Sequence, residues 1–220
     1  MTATGTWPTT AVEAVAVQEE LRGLVEVGDV GEPARYVAGL DVAYDGDRLA
    51  GAVVVLDAVT LTEVDRAVVL GETTFPYIPG LFAFREVPAL LGALEKLTVR
   101  PGLLVCDGQG LAHPRRFGLA CHLGVLTGIP SIGAAKTTFV GAHQELGRGR
   151  GSTAELVDGD EVVGTAVRTQ DGVKPVYVSV GHRVSLTTAV AQVLRFAPTY
   201  RLPETTRLAD RACRDAVRAS

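Results

Sequence analysis

The chain has 220 residues, of which 47% are hydrophobic and 21% are charged, and its net charge is −4. This composition is typical of a soluble globular protein with a substantial core, and no internal boundary is visible, so we predict one domain over residues 1–220. No apolar run is long enough to span a bilayer, which argues against a membrane protein. The acidic balance argues against nucleic-acid binding, because nucleic-acid-binding proteins usually carry a basic surface.

The cysteines and the N-terminal residues indicate the cellular compartment in which the protein is expected. Three cysteines are far apart in the chain and show no CxxC spacing, so we predict neither a disulfide framework nor a zinc site. Residues 1–15 contain no basic segment followed by a continuous apolar one, so we expect no secretory signal. A reducing, cytoplasmic location is therefore the simplest expectation.

The charge argument leaves nucleic-acid binding open for two reasons. Carboxylates grouped around a metal ion are offset by the charge of the ion itself. The basic residues are also unevenly placed: Arg115 and Arg116 follow a DGQG turn, Arg148 and Arg150 lie in a glycine-rich loop, and residues 201–220 include five arginines.

The first half of the chain divides into a helix, three strands and a second helix. Apolar residues at helical spacing predict a helix over residues 10–27. Three Val-rich runs separated by turn residues then predict an antiparallel meander, with strands over 36–43, 49–56 and 61–70. Two prolines make 76–80 a stiff, extended segment, and a helix follows over 81–97.

The second half alternates short strands with helices. The predicted strands are 102–106, 130–134, 154–157, 161–168 and 175–180, and the predicted helices are 116–127, 185–196 and 203–219. A polar, glycine-rich loop covers 141–152. This order predicts an α/β fold with a mixed central sheet and helices on both faces. A ligand site is then expected at the carboxyl ends of the central strands.

Three carboxylates lie where predicted elements begin or end. Asp41 lies in the apolar strand GLDVAY, Asp107 directly follows the apolar strand LLVC, and Glu86 lies in the helix after the stiff segment. Oxygen ligands of this kind suit Mg²⁺, which takes one or two carboxylates with water and phosphate, so the set predicts metal-assisted phosphodiester hydrolysis. Each carboxylate alone has an ordinary alternative, namely a strand-end cap, a tight turn or a solvated helix position.

The segment DGQGLAHPR, which begins at Asp107, contains residues that a simple tight turn would not need. Its glycines let the backbone approach a ligand closely, and His113 and Arg115 follow within eight residues of the carboxylate. These neighbours make His113 the strongest functional candidate among the four histidines. His182 is a second candidate, whereas we expect His122 to pack or cap in its helix and His143 to be inert.

Three further positions have both a functional and an ordinary interpretation. Lys136 ends the strand SIGAAK and could contact a phosphate or simply extend into solvent. Tyr77 and Ile78, in PYIPG, could act as a wedge that unstacks bases, or could be a packed connector. Asp210, in RLAD, could join the metal site or could form a surface ion pair of little consequence.

Together the motifs resemble those of the endonuclease V family, the deoxyinosine 3′-endonucleases. The similarity covers roughly residues 10–210 and rests most specifically on DGQGLAHPR and FPYIPG. The remaining matches are GLD, FRE, SIGAAK, GHRVS and RLPETTRLAD. The resemblance implies an RNase H-like fold and Mg²⁺-dependent cleavage, with Mn²⁺ able to substitute. It also implies a cut at the second phosphodiester 3′ to deoxyinosine that leaves 3′-hydroxyl and 5′-phosphate ends.

The resemblance also implies roles for particular residues. Asp41, Glu86 and Asp107 would form the metal site, with Asp210 as an additional candidate. The phosphate would be assisted by His113 and Lys136. Contacts to DNA and to the lesion would come from Tyr77 as the wedge and from Ile78, Pro79, Gly80, Leu81, Arg85, Gly108 and Arg115.

The expected partner is damaged DNA that contains deoxyinosine, bound by a monomer. Inosine-containing RNA is an alternative substrate, because the motifs do not separate the two and only a contact to the 2′-hydroxyl would. Two other hypotheses stay open: a structure-selective nuclease of the same fold, and a lesion-binding module without catalysis. The second is disfavoured, because clustering carboxylates that do no work is electrostatically costly.

Overall fold

The computed structural model describes residues 7–219, which form eight strands and five helices. The strands are β1 (Tyr36–Asp45), β2 (Arg48–Asp57), β3 (Glu63–Glu72), β4 (Leu103–Cys106), β5 (Ser131–Ala135), β6 (Thr153–Asp158), β7 (Glu161–Val167) and β8 (Val176–His182). The helices are α1 (Ala11–Arg22), α2 (Ala83–Glu95), α3 (Leu119–Thr127), α4 (Leu186–Phe196) and α5 (Glu204–Ala219). No helix among them combines the length and apolarity needed to cross a membrane.

All eight strands belong to one mixed sheet in the order β3-β2-β1-β4-β5-β8-β7-β6. The predicted antiparallel meander is confirmed, because β2 pairs antiparallel with both β1 and β3. The three central strands β1, β4 and β5 run parallel, and β8, β7 and β6 continue the sheet antiparallel. The carboxyl ends of β1 and β4 therefore meet at one edge of the sheet, where the sequence predicts a ligand site.

Helices cover both faces of the sheet, as predicted. Because side chains alternate along a strand, Val37 and Val105 pack on one face against α4 and α5. Their neighbours Ala38 and Leu104 pack on the other face against α2 and α3. The central strands are consequently buried on both sides, which explains why they consist of nearly continuous apolar runs.

Several predicted boundaries were wrong by a few residues, among them the start of α3 at Leu119 instead of residue 116 and the bounds of β3. Helix α1 ends at Arg22 instead of residue 27, because Gly23 caps it and Val27 leaves to form an isolated parallel bridge with Val184. Helix α2 starts at Ala83, two residues later than predicted. Strand β1 continues to Asp45 because its hairpin with β2 extends two residues further than the apolar pattern.

Helix α5 lies unusually close to β1. A Cβ atom added at Gly39 would lie 1.9 Å from the carbonyl oxygen of Thr205, so only glycine permits this approach. The close contact places the middle of α5 over the carboxyl end of β1, which brings residue 210 towards residue 41.

Strand β3 forms one outer edge of the sheet, and its exposed positions include the charged residues Glu63, Arg66 and Glu72. Asp65 accepts hydrogen bonds from the backbone amides of Thr98 and Val99, at 2.7 and 2.8 Å. Arg66 forms an ion pair with Glu63. The turn between α2 and β4 is thereby tied to the edge strand.

Candidate active site

Asp41 and Asp107 lie side by side because of the register of the two central strands. The last parallel pair between β1 and β4 is Leu40 with Cys106, so each aspartate is the next residue on its strand. The amide of Asp107 donates to the carbonyl of Leu40 at 3.1 Å, which fixes the two backbones together. Asp41 lies within β1 rather than near its end, but it marks the point where β1 stops pairing with β4.

Glu86 reaches the same place from the first turn of α2. Its side chain is only 5% exposed, and the hydroxyl of Tyr44 donates to its Oε1 at 3.3 Å. Arg85, the preceding residue, points elsewhere: its Nη1 donates to the carbonyl of Phe75 at 2.7 Å, and its guanidinium lies over the Tyr44 ring. The structure thus places Glu86 near enough to Asp41 and Asp107 for their charges to raise its pKa, and Arg85 braces the surroundings of Glu86.

Asp41 and Glu86 are largely shielded from solvent, and this burial is the main cause of their raised pKa values. Burial, followed by the charge of Asp107, raises the pKa of Asp41 to about 8, although the Lys136 ammonium opposes the rise. Burial, followed by the charge of Asp41, raises the pKa of Glu86 well above its usual range. Lys136 donates to Asp107 Oδ2, and this bond raises the lysine pKa despite partial burial. The Lys136 ammonium and the Arg85 guanidinium lower the pKa values of Asp41 and Glu86, respectively, but do not offset the rise.

These residues fit a hard divalent cation. Crowded, desolvated carboxylates ionise together only when a positive charge is near, and oxygen is the ligand type that Mg²⁺ prefers. Within residues 7–219, no three His, Cys, Asp or Glu side chains are already gathered into a complete metal-binding group. Asp41 and Asp107, with Glu86 beside them, could therefore supply part of a coordination shell, with water and substrate phosphate supplying the rest.

Asp210 belongs to the same neighbourhood. Together with Asp41 and Lys136 it lines a groove, and its charge contributes to the raised pKa of both. Arg214, one turn further along α5, forms an ion pair with Asp210 at 2.9 Å. The two alternatives for Asp210 therefore combine: it forms an ion pair, and it does so beside the carboxylate cluster.

A cavity of about 310 Å³ opens beside the cluster, with Glu86 and Asp107 in its wall. The remaining wall includes the aromatic rings of Tyr77, Phe82 and Phe139 together with the predicted lesion residues Gly80 and Gly108. The size and the mixture of aromatic and polar surface are typical of a small-molecule site. Such a cavity can hold a planar base.

Gln109 lies in the wall of this cavity, and one polar atom of its side chain is available to a ligand. Its Nε2 donates to the carbonyl of Thr137 at 2.8 Å, which orients the amide. Its Oε1 is buried and has no hydrogen-bond partner among the described residues. A buried acceptor without a partner is costly, and a ligand with an N–H group could satisfy it.

The loop at Gly80 is held by three side chains that donate to one carbonyl oxygen. Gln18 Nε2, His113 Nε2 and Arg115 Nη2 approach the Gly80 oxygen at 3.0, 3.0 and 2.7 Å. Gly80 has φ +80°, a left-handed conformation in which a side chain would meet the Arg115 guanidinium at 2.8 Å. Tyr77, three residues earlier, is 71% exposed at the tip of the same loop.

The side chains of His113 and Arg115 thus form hydrogen bonds within the protein. His113 Nδ1 accepts from the amide of Arg115 while Nε2 donates to Gly80, so both ring nitrogens are used by the neutral imidazole. Burial lowers the pKa of His113 to about 4, in agreement with a neutral ring. A direct role of His113 at the phosphate stays a prediction, and the contacts favour a role in holding the loop.

The other predicted residues divide between the surface and the core. In the loop Ile78 is partly exposed and Pro79 is exposed, whereas Leu81 is buried in the cluster formed by α1, α2 and α3. His182 accepts a hydrogen bond from the amide of Glu26, outside the cavity and the groove. His143 interacts with its neighbour Gln144 and with Tyr177.

Two residues of the site escaped the sequence interpretation. Gln18 is 1% exposed and reaches Gly80 from α1, yet the sequence pattern marks it only as a helix position. Tyr44 binds Glu86 from four residues beyond the part of β1 that pairs with β4. A polar residue on the apolar face of α1 was the available signal for Gln18.

Comparisons with known proteins identify the family of this chain. Residues 19–211 match the model of the endonuclease V family. Endonuclease V of Streptomyces coelicolor is 58% identical over 216 residues, which cover 96% of this chain and 93% of that protein. The crystal structure of endonuclease V from Streptomyces avermitilis superposes with a TM-score of 0.93 at 56% identity, covering 98% of this chain and 96% of that one.

A third relative was solved with nucleic acid. Endonuclease V of Ciona intestinalis, 28% identical with a TM-score of 0.84, covers 94% of this chain and 98% of its own. It was crystallised with a 24mer DNA containing an inosine followed by a ribo-adenosine. The likeness to these structures confirms the RNase H-like α/β fold. The chain therefore belongs to the endonuclease V family and is a nuclease.

Proposed function

We propose that this nuclease repairs deaminated adenine by cutting DNA at the second phosphodiester 3′ to deoxyinosine, with Mg²⁺ as its cofactor and 3′-hydroxyl and 5′-phosphate ends as its products. The observation that carries the proposal is a carboxylate cluster at the point where β1 and β4 stop pairing, directly beside a base-sized cavity. The position of the cut rests on the family resemblance. The Ciona relative, crystallised with inosine-containing DNA, supports the choice of lesion.

The chain's own residues would each do a separate part of the work. Asp41 and Asp107 would hold the Mg²⁺, which supplies Lewis-acid chemistry and neutralises charge at the phosphate. Glu86 would complete the acidic surroundings. Lys136, whose side chain is 41% exposed, would present its ammonium to the phosphate oxygens once Asp107 is engaged elsewhere.

The cavity would take the extruded base. A mispaired base costs less to unstack than a paired one, which is one source of selectivity. Tyr77, exposed on the loop clamped at Gly80, would fill the space that the base leaves. The backbone of Gly80 and Gly108 and the free acceptor of Gln109 would face the base.

The proposal is tested with an end-labelled duplex carrying one deoxyinosine, incubated with Mg²⁺ or with EDTA. A single Mg²⁺-dependent cut one nucleotide beyond the lesion supports it. We expect Asp107→Asn to lower the rate by about a thousandfold, which corresponds to ~4 kcal/mol of transition-state stabilisation. Asp160→Asn, in the exposed turn between β6 and β7, is the matched control and should cut normally.

An inosine-containing RNA strand in the same assay separates the two inosine substrates. Cleavage of RNA alone would move the protein to inosine-RNA processing. If Asp107→Asn cuts deoxyinosine DNA at the normal rate, the metal assignment is wrong. Binding without any cleavage under Mg²⁺ or Mn²⁺ would favour the lesion-binding module.

Tyr77→Ala separates a lesion-specific enzyme from a structure-selective nuclease. Because the ring would support an unstacked duplex, we expect the variant to lose about tenfold in kcat/KM on duplex deoxyinosine and much less on a single strand. Tyr200→Ala is the control, since Tyr200 is also exposed but lies outside the cavity wall. An equal loss on both substrates would remove the wedge role from Tyr77.

A further inference from the structure

A groove of about 660 Å³ runs from the carboxylate cluster along α5, and the proposed function gives it no role so far. It is lined on one side by β1 from Asp41 to Asp45 and on the other by Asp210, Arg214 and Arg218 of α5. Lys136 also contributes to its wall. We call it the α5 groove.

The charged side chains of α5 that line the groove are acidic next to the carboxylate cluster and basic further away from it. Asp210, Arg214 and Arg218 follow one another at intervals of four residues, so they lie on one face of α5 about 6 Å apart along its axis. The acidic residue lies over Asp41, and the two arginines lead away from it. Such a row offers successive cations at a spacing close to that of successive phosphates in an extended strand.

The two arginines differ in how free they are. Arg214 is bound to Asp210 at 2.9 Å, with its side chain 57% exposed. Arg218 is exposed, and no ion pair joins it to another described residue. Arg218 is thus a cation available to a ligand, on a protein whose net charge is −4.

The position of the groove decides which part of a DNA strand can occupy it. The base cavity has Glu86 and Asp107 in its wall, and the α5 groove has Asp41 and Lys136 in its wall, so the carboxylate cluster separates the two. A strand whose lesion lies in the cavity and whose cut bond lies at the cluster has to continue on the other side. That continuation is the 3′ side of the cut.

We propose that the α5 groove binds the sugar–phosphate backbone of the nucleotides 3′ to the cut bond, with Arg218 and Arg214 contacting phosphates. The inference rests on the proposed function for the direction of the strand. Contacts of this kind are independent of base sequence and weaken as salt rises. The groove would therefore add affinity for length on the 3′ side, whatever bases follow.

The test compares single strands that end one nucleotide or six nucleotides beyond the expected cut. Binding is measured in the Asp107→Asn background, so that the readout does not need cleavage, and kcat/KM is measured with the native cluster. We expect the longer strand to bind more tightly and Arg218→Ala to reduce this advantage at 50 mM salt. Raising the salt to 200 mM should weaken binding of the longer strand about threefold more in the unsubstituted protein than in Arg218→Ala. The slope of log K against log salt should become shallower by about 0.7 for the longer strand alone.

Arg211→Ala is the matched control, because Arg211 lies on the same helix, is exposed and does not line the groove. Arg218→Lys should keep most of the length advantage. If Arg218→Ala and Arg211→Ala show the same length dependence as the unsubstituted protein, the groove proposal is overturned. Failure of the proposed function looks different, since no inosine-dependent cut would then appear with any strand.

Discussion

At the scale of single residues, the site depends on hydrogen bonds whose partners are far apart in the chain. The Gly80 carbonyl receives donors from Gln18, 62 residues earlier, and from Arg115, 35 residues later. Gln18 also donates to Phe117 and accepts from Arg115. It is therefore the residue through which α1, the Gly80 loop and the DGQGLAHPR segment are joined.

Replacing Gln18 with alanine should loosen this loop and leave buried groups without partners. An unsatisfied buried polar group costs about 1–3 kcal/mol, so we expect kcat/KM on duplex deoxyinosine to fall about tenfold. The unfolding midpoint measured in parallel shows how much of the loss is stability. Gln170→Ala is the control, because Gln170 also donates to backbone carbonyls but outside the site. Unchanged discrimination between inosine and undamaged DNA would show that the clamp plays no part in lesion recognition.

His122 is a second residue whose chemistry has a measurable consequence. It is fully buried among the rings of Trp7, Phe84 and Phe117, and neither ring nitrogen has a hydrogen-bond partner in the described chain. Burial lowers its pKa to about 3. The expectation that His122 packs inside its helix therefore agrees with its surroundings.

His122→Leu should change how stability depends on pH. Because the folded pKa lies below the unfolded value near 6.5, the unfolded state binds more protons in acid, so stability is full above pH 6.5 and is lost as pH falls towards 3. At pH 5 this amounts to about 2 kcal/mol. We expect the difference in unfolding free energy between His122→Leu and the native chain to shift by that amount in favour of the variant between pH 7 and pH 5. The expectation is contradicted if urea titrations give the same difference in unfolding free energy between the two proteins at pH 7 and at pH 5.

At the scale of elements, α2 contains a proline that the rest of the molecule compensates. Pro88 has no N–H, so the carbonyl of Phe84 loses the donor that the helix would normally supply. The indole Nε1 of Trp7 donates to that carbonyl at 3.0 Å. The segment before α1 thus completes the first turns of the helix that carries Glu86.

A double-mutant cycle isolates this contact. Trp7→Phe keeps an aromatic ring but removes the donor, and we expect it to cost about 1–3 kcal/mol of unfolding free energy. In the Pro88→Ala background the backbone amide can bond Phe84 directly, so the same substitution should cost at least about 1 kcal/mol less. Equal costs in both backgrounds would mean that Trp7 stabilises the helix by packing alone.

At the scale of the whole molecule, much of the fold follows from the sequence, and the reasons are physical. Strands buried on both faces must be nearly continuous apolar runs, so LLVC and SIGAA mark the centre of the sheet and the first polar residue after LLVC marks its functional edge. Asp107 could be predicted in this way. Asp41 is harder to predict as a site residue, because β1 continues beyond it into a hairpin with β2. Only the pairing of β1 with β4 ends next to Asp41.

The remaining features depend on packing between distant elements, which a single sequence does not show. The Gln18 clamp, the Trp7 donor and the row of arginines in the α5 groove all require knowing which faces of α1, α2 and α5 meet the sheet. The uncompensated charge of the carboxylate cluster likewise appears only when Glu86 is brought to the two aspartates. That the 220 residues form a single domain stays a prediction.

The edge strand β3 has a consequence for how copies of this protein behave towards one another. An unprotected outer strand offers free backbone amides and carbonyls to a neighbouring chain, and strand-by-strand association is a common route to aggregation. Here Glu63, Asp65 and Arg66 place charge along that edge, and the turn at Thr98 and Val99 is fastened to it. Charged side chains on an outer strand make the addition of a further strand there less favourable, so this edge is partly protected against strand-by-strand association.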